Sequence, residues 1–167
     1  VTYSYYDGDV AYDPNYNGSN VNSATGGDPR AVNDYGSDNE TLISSAFDLW
    51  DEIVEFDFEE VEETGTTVGE MRVAYTTAGE QYGRAAFAYG PYGSVASGDV
   101  WFEIADTDIS GTSDFATTGI DEAGGNYYAA LHEIGHAIGL SHPFDSSASG
   151  GTGATLATAY DTQRYSV

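Results

Sequence analysis

All three histidines of this 167-residue chain fall in one short run, Leu131-His132-Glu133-Ile134-Gly135-His136-Ala137-Ile138-Gly139-Leu140-Ser141-His142-Pro143. That run constrains the fold more than any other stretch. Residues four apart on a helix lie on one face, one turn above the other, so His132 and His136 can both point at one ion. At about 100° per residue, Tyr127, Leu131, Ile134 and Ile138 gather on the opposite face, which is left to pack on a core. A helix is therefore expected from about Tyr127 to Ile138. Gly139 suits its C-terminal cap, and with positive φ it can turn the chain sharply. His142 can then swing back as a third ligand.

Three protein ligands leave a coordination position open for water and substrate, the mark of a catalytic zinc site. Glu133 lies one residue on from His132, beside the metal rather than in line with both histidines. Zinc lowers the pKa of water toward neutrality, and a carboxylate within hydrogen-bond reach can take that proton and later pass it to a leaving amine. A bare His-Glu-x-x-His pattern arises by chance on the order of once in a few hundred chains of this length. The added Gly139 and His142 make chance rarer by roughly a further factor of several hundred.

Composition narrows the classes. There are 28 acidic residues against four arginines and no lysine, a formal net charge of -24. Such a surface repels nucleic acid and anionic membranes, which need a basic footprint. It reads first as a solubility device for salty surroundings, where counterions screen self-repulsion; clustered carboxylates could alternatively bind calcium. The chain has no cysteine, so neither a disulfide framework nor a thiolate metal site is available. No stretch approaches the roughly 20 apolar residues needed to span a bilayer. Val1 to Tyr6 lacks the features of a signal peptide.

The length fits one domain. Val1-Thr2-Tyr3-Ser4-Tyr5-Tyr6 reads as a strand. Asp7 to about Ser37 is rich in Gly, Asn, Asp and Ser and reads as a long loop, with room for a short hidden strand. Ser37 and Glu40 form a capping box, followed by a helix whose apolar face is Leu42, Ile43, Ala46, Leu49, Trp50 and Ile53. Phe56 and Phe58 alternate with acidic residues, as do Met71, Val73 and Tyr75 with their neighbours after a turn at Gly65 to Gly69; both read as strands. Ala85 to Tyr89 and Val100 to Ile104 are two more, with Gly90-Pro91-Tyr92-Gly93 between them. Strand, helix, several strands, helix suggests an α+β domain with one sheet.

The run from His132 to Pro143 resembles the zinc signature of metzincins, and within that clan most that of serralysin-type bacterial proteases. Pro143 carries this choice, because matrixins usually place Ser there. Val1 to Tyr6 resembles the serralysin first strand, Leu42 to Ile53 the first long helix, and Gly98-Asp99-Val100-Trp101-Phe102 the last sheet strand. Phe144 departs from the usual Gly, and Asp7 to Ser37 has no clear counterpart. Asp161-Thr162-Gln163-Arg164-Tyr165-Ser166-Val167 resembles the approach to the Met-turn, whose Met and Tyr would come next. The resemblance thus implies a catalytic domain over residues 1–167 that is incomplete at its C-terminal end. The Met-turn and the serralysin calcium-binding repeats would lie elsewhere, on further chain or on a separate C-terminal fragment. Met71, in a predicted strand, is expected in the core.

The expected fold is thus metzincin-like: a twisted, mostly parallel sheet with an antiparallel edge strand, two long helices and a zinc cleft. The expected function is a secreted, extracellular zinc metalloendopeptidase. His132, His136 and His142 hold one Zn2+, and Glu133 is general base to zinc-activated water. Ca2+ is a further candidate near Asp106 and Asp108. A protein or peptide substrate would add as a strand along Ala85 to Tyr89; no nucleic acid or membrane partner is expected, and the chain is expected to be a monomer. One rival is a non-catalytic, metal- or calcium-organised binding module. Another is a matrixin-like enzyme with a second, structural zinc, for which no histidines remain.

Overall fold

The computed structural model of the chain describes residues 1–8, 29–30, 37–76, 86–93, 95–103 and 125–142. Its elements run β1 (Thr2–Tyr5), β2 (Pro29–Arg30), α1 (Ser37–Asp51), β3 (Glu59–Glu60), β4 (Met71–Thr76), β5 (Ala86–Ala88), β6 (Val100–Glu103) and α2 (Gly125–Ala137). The strands form one sheet in the order β3-β1-β4-β6-β5. β1 pairs in parallel with β3 and β4, and β4 in parallel with β6. β5 pairs antiparallel with β6 at the sheet edge. β2 is the short strand that the long loop had room for; it pairs antiparallel with Tyr75 and Thr76, past the residues of β4 that β1 covers. This is the expected mostly parallel sheet with an antiparallel edge.

Every residue of β4 is buried. Alternation had suggested a half-buried strand there, but β4 is central and both its faces are covered, as in parallel sheets generally. On one face, Tyr3, Tyr5, Met71, Val73, Tyr75, Ala86, Val100 and Phe102 meet both helices in one core. On the other, Ala74, Phe87 and Trp101 form a second cluster. Met71 is in the core, as expected.

The apolar face of α1 is narrower than its pattern implied. Ile43 and Ala46 are fully buried and Leu42 and Trp50 pack against the core, but Leu49 is 39% exposed and Ile53 67%. The helix stops at Asp51, and Ile53 lies in the turn after it, where its N–H donates to the Trp50 carbonyl. Phe47, which the pattern passed over, is buried and stacks on Tyr3 with ring centroids 4.0 Å apart. Phe56 and Phe58 are not in a strand: the short β3 begins at Glu59, and the Phe58 N–H is taken by the Asp51 carboxylate at 2.7 Å. Phe58 still packs against Phe47. The side chain of Ser37 lies outside the described ones, and with it the capping box.

Polar ties fasten β1 to α1. Burial, then the charge of Glu60, pushes the Tyr3 phenol up to about 12. It stays protonated, its one O–H shared between Ser44 Oγ at 3.3 Å and Glu60 Oε2 at 3.2 Å. Tyr5, raised by burial, donates to the Glu40 carbonyl at 3.0 Å. Burial and, after it, the charge of Glu60 also raise the Glu40 carboxyl. No helix among the described residues is long and apolar enough to cross a membrane.

Candidate metal centre

α2 packs against α1 and lies over β5 and β6. Its core face is Ala130, Leu131, Ile134 and Ala137, with Tyr127 and Ile138 partly buried beside them. This is the predicted apolar face, filled out by two alanines. Ala86 and Ala88 are the residues of β5 in the same core. Being small, they let the helix approach the sheet edge. α2 is thus held close to a strand that has a neighbour on one side only among the described strands.

The helix ends as its glycine predicts. Gly139 has φ +108°. Its N–H donates to the His136 carbonyl at 3.0 Å, and the Leu140 N–H donates to the Gly135 carbonyl at 2.9 Å. That pair of bonds is a Schellman motif. A Cβ built on Gly139 would lie 3.3 Å from Pro91 Cγ, so the turn that brings His142 back is seated on the loop that follows β5. Gly139→Ala therefore meets a disfavoured backbone and a tight neighbour together. The expected cost is about 1–2 kcal/mol, read by thermal melting, with weaker zinc binding by chelator competition. A variant with wild-type zinc affinity would show that the turn does not place His142.

The structure brings the three histidines together. His132 Nε2 lies 3.0 Å from His142 Nε2 and 3.0 Å from His136 Nε2, and His136 Nε2 lies 3.1 Å from His142 Nε2. Among the described residues this is the one group of three or more such side chains that could hold a metal ion. His136 Nδ1 lies 2.8 Å from the Leu140 carbonyl oxygen. A carbonyl only accepts, so Nδ1 carries the proton and Nε2 presents its lone pair to the other two rings. No placement of ring protons makes three good hydrogen bonds of such a triangle, because each N–H points one way. Convergent lone pairs suit a cation. Tetrahedral zinc, with Zn–N of about 2.0–2.1 Å, separates its nitrogens by about 3.3–3.4 Å, a few tenths of an ångström wider than here. The donor set fits.

Glu133 is 9% exposed on α2, one residue on from His132. Two groups at the site were not foreseen. The Leu140 carbonyl, which fixes the His136 tautomer, is a backbone group with no signal in residue type. The indole of Trp50 donates to the Leu131 carbonyl at 3.1 Å; its trace in the sequence is an indole N–H on an apolar stripe, which needs a partner when buried. Pro143, Phe144, Asp106, Asp108 and the stretch from Asp161 to Val167 lie outside the described residues.

No curated protein matches the sequence. The family described as Matrixin, a family of peptidases, matches residues 29–161, a span that holds the three histidines, Glu133 and every described element except β1. The match carries the metzincin-type reading and does not separate the serralysin branch. With that model matching most of its length and three imidazoles that could hold a metal ion, the chain belongs to the matrixin family of zinc metalloendopeptidases.

Proposed function

We propose that this chain is the catalytic part of a secreted zinc metalloendopeptidase in which His132, His136 and His142 hold one zinc ion and Glu133 is the general base. The observation that carries it is the convergence of the three Nε2 atoms at 3.0–3.1 Å, with the His136 tautomer set by Leu140. A bound zinc ion supplies Lewis acidity, lowering the pKa of water toward neutrality. Glu133 takes the proton from the attacking water and returns it to the leaving amine. The outer edge of β5 offers backbone groups to an extended peptide, within reach of α2 because Ala86 and Ala88 are small. Within the family the serralysin branch fits best, on Pro143 and on the strand Val100–Glu103 that follows Gly98-Asp99. A second zinc held by histidines has no ligands, since all three histidines are in this site.

The test is metal analysis of the purified protein together with casein digestion, with and without a chelator. One zinc per chain is expected, with activity lost on chelation and restored by one equivalent of zinc. Digestion that survives complete removal of metal would sink the enzyme reading. Zinc bound without any cleavage would favour the binding-module alternative.

A further inference from the structure

The indole of Trp50 touches the metal helix at two places, and each is one residue before a histidine. Its Nε1–H donates to the Leu131 carbonyl at 3.1 Å, next to His132. Its Cζ2 lies 3.1 Å, and its Cη2 3.7 Å, from where a Cβ on Gly135 would sit, next to His136. Leu131 and Gly135 are four apart, so they form one stripe of α2, and His132 and His136 form the adjacent stripe. Leu140 Cδ1 lies 3.6 Å from the same Cβ position. The residue whose carbonyl fixes His136 thus shares the niche that the indole fills.

Ordinary helix packing does not ask for this. Alanine at Gly135 would favour the helix by about 1 kcal/mol, yet here it would press on the indole. The Leu131 carbonyl is positioned to serve its own helix and receives a second donor from α1. These contacts fix the rotation of α2 about its axis relative to α1, and that rotation decides where the histidine stripe points. We propose that Trp50 is a positioning residue for the metal centre, holding His132 and His136 in register through Leu131 and Gly135. This rests on the zinc reading above.

The test uses Trp50→Phe, Gly135→Ala and the double variant in the whole chain. Zinc affinity is measured by chelator competition, ligand geometry by the visible spectrum of the cobalt-substituted protein, and turnover by separate kcat and KM. Trp50→Phe is expected to weaken zinc binding about tenfold, shift the cobalt bands, and lower kcat with little change in KM. Gly135→Ala is expected to do the same from the other side of the contact, and it carries the test alone if Trp50→Phe does not fold. In the double variant the shorter ring leaves room for the added methyl, so the second change costs less than it does alone. Wild-type zinc affinity and cobalt spectrum in both single variants, whatever the melting temperature, would overturn the proposal. Failure of the zinc reading looks different: His136→Ala would then bind zinc as tightly as wild type.

Discussion

Glu133→Ala is expected to keep one zinc per chain and to lose peptidase activity by a factor of about 10²–10⁴, the usual worth of a positioned general base. The three imidazoles that converge on one another do not include this side chain, so the metal affinity has no reason to fall. Replacing a group that is 9% exposed with the best helix former keeps α2 intact. Glu133→Gln makes the same point with shape retained, since an amide of equal size cannot take a proton. The loss belongs in kcat, because the proposed strand pairing of a peptide with the β5 edge would not involve position 133. The measurements are zinc content, and kcat and KM on a peptide substrate. Retained turnover with zinc bound would remove Glu133 from the mechanism. Lost zinc would make it a structural partner of the site instead.

The site was legible because its chemistry is periodic. Histidines four apart, an apolar stripe on the other side and a glycine three residues later each have one geometric meaning, and the structure repeats them in α2 and the Gly139 turn. The sheet was legible in outline for a similar reason: the β-branched and aromatic run at Val1–Tyr6, the alternation of Met71, Val73 and Tyr75, and the candidate strand from Val100 correspond to β1, β4 and β6. What failed did so where local pattern has no access to neighbours. Leu49 and Ile53 follow the helical spacing but sit at and beyond the end of α1, where nothing covers them enough to bury them. Phe47 lies four residues after Ile43 and three before Trp50, at the margin of the stripe, and is buried because β1 presents Tyr3 to it. Phe56 and Phe58 alternate correctly for a strand, yet the partner register starts only at Glu59 with Thr2. The two unforeseen groups at the metal centre, the Leu140 carbonyl and the Trp50 indole, act through backbone atoms or through another helix.

Glu63→Gln is expected to destabilise the fold by about 3–5 kcal/mol, although it removes a negative charge from a chain that carries -24. Two effects compete here, with opposite signs. If overall repulsion governs, losing any carboxylate stabilises. If the local pair governs, losing this one takes the counter-charge from a buried cation. Glu63 is 3% exposed and Arg72 6%. Their bond is two-pronged, with Arg72 Nε donating to Oε1 at 2.7 Å and NH2 to Oε2 at 2.6 Å. Ser4 Oγ donates to the same Oε1 at 2.8 Å and accepts the Gly69 N–H at 2.9 Å, so the carboxylate also anchors β1 to the turn before β4. Coulomb attraction at these distances in a poorly solvated site far exceeds repulsion from dispersed surface charges screened by water and salt, so the local pair wins. For a chain of this size the loss corresponds to a melting temperature lower by roughly 10 °C. Glu55→Gln, at an exposed position, changes net charge equally and is expected to stay within about 0.5 kcal/mol. Replacing both partners with apolar residues of similar volume is expected to recover much of the loss, because no charge is left unpaired. The check is thermal melting of the wild type and the three variants at low and high salt. Added salt raises the stability of wild type and Glu55→Gln alike by screening the surface, and leaves the deficit of Glu63→Gln nearly unchanged. A Glu63→Gln protein as stable as Glu55→Gln would mean that net charge, not the buried pair, sets the stability of this fold.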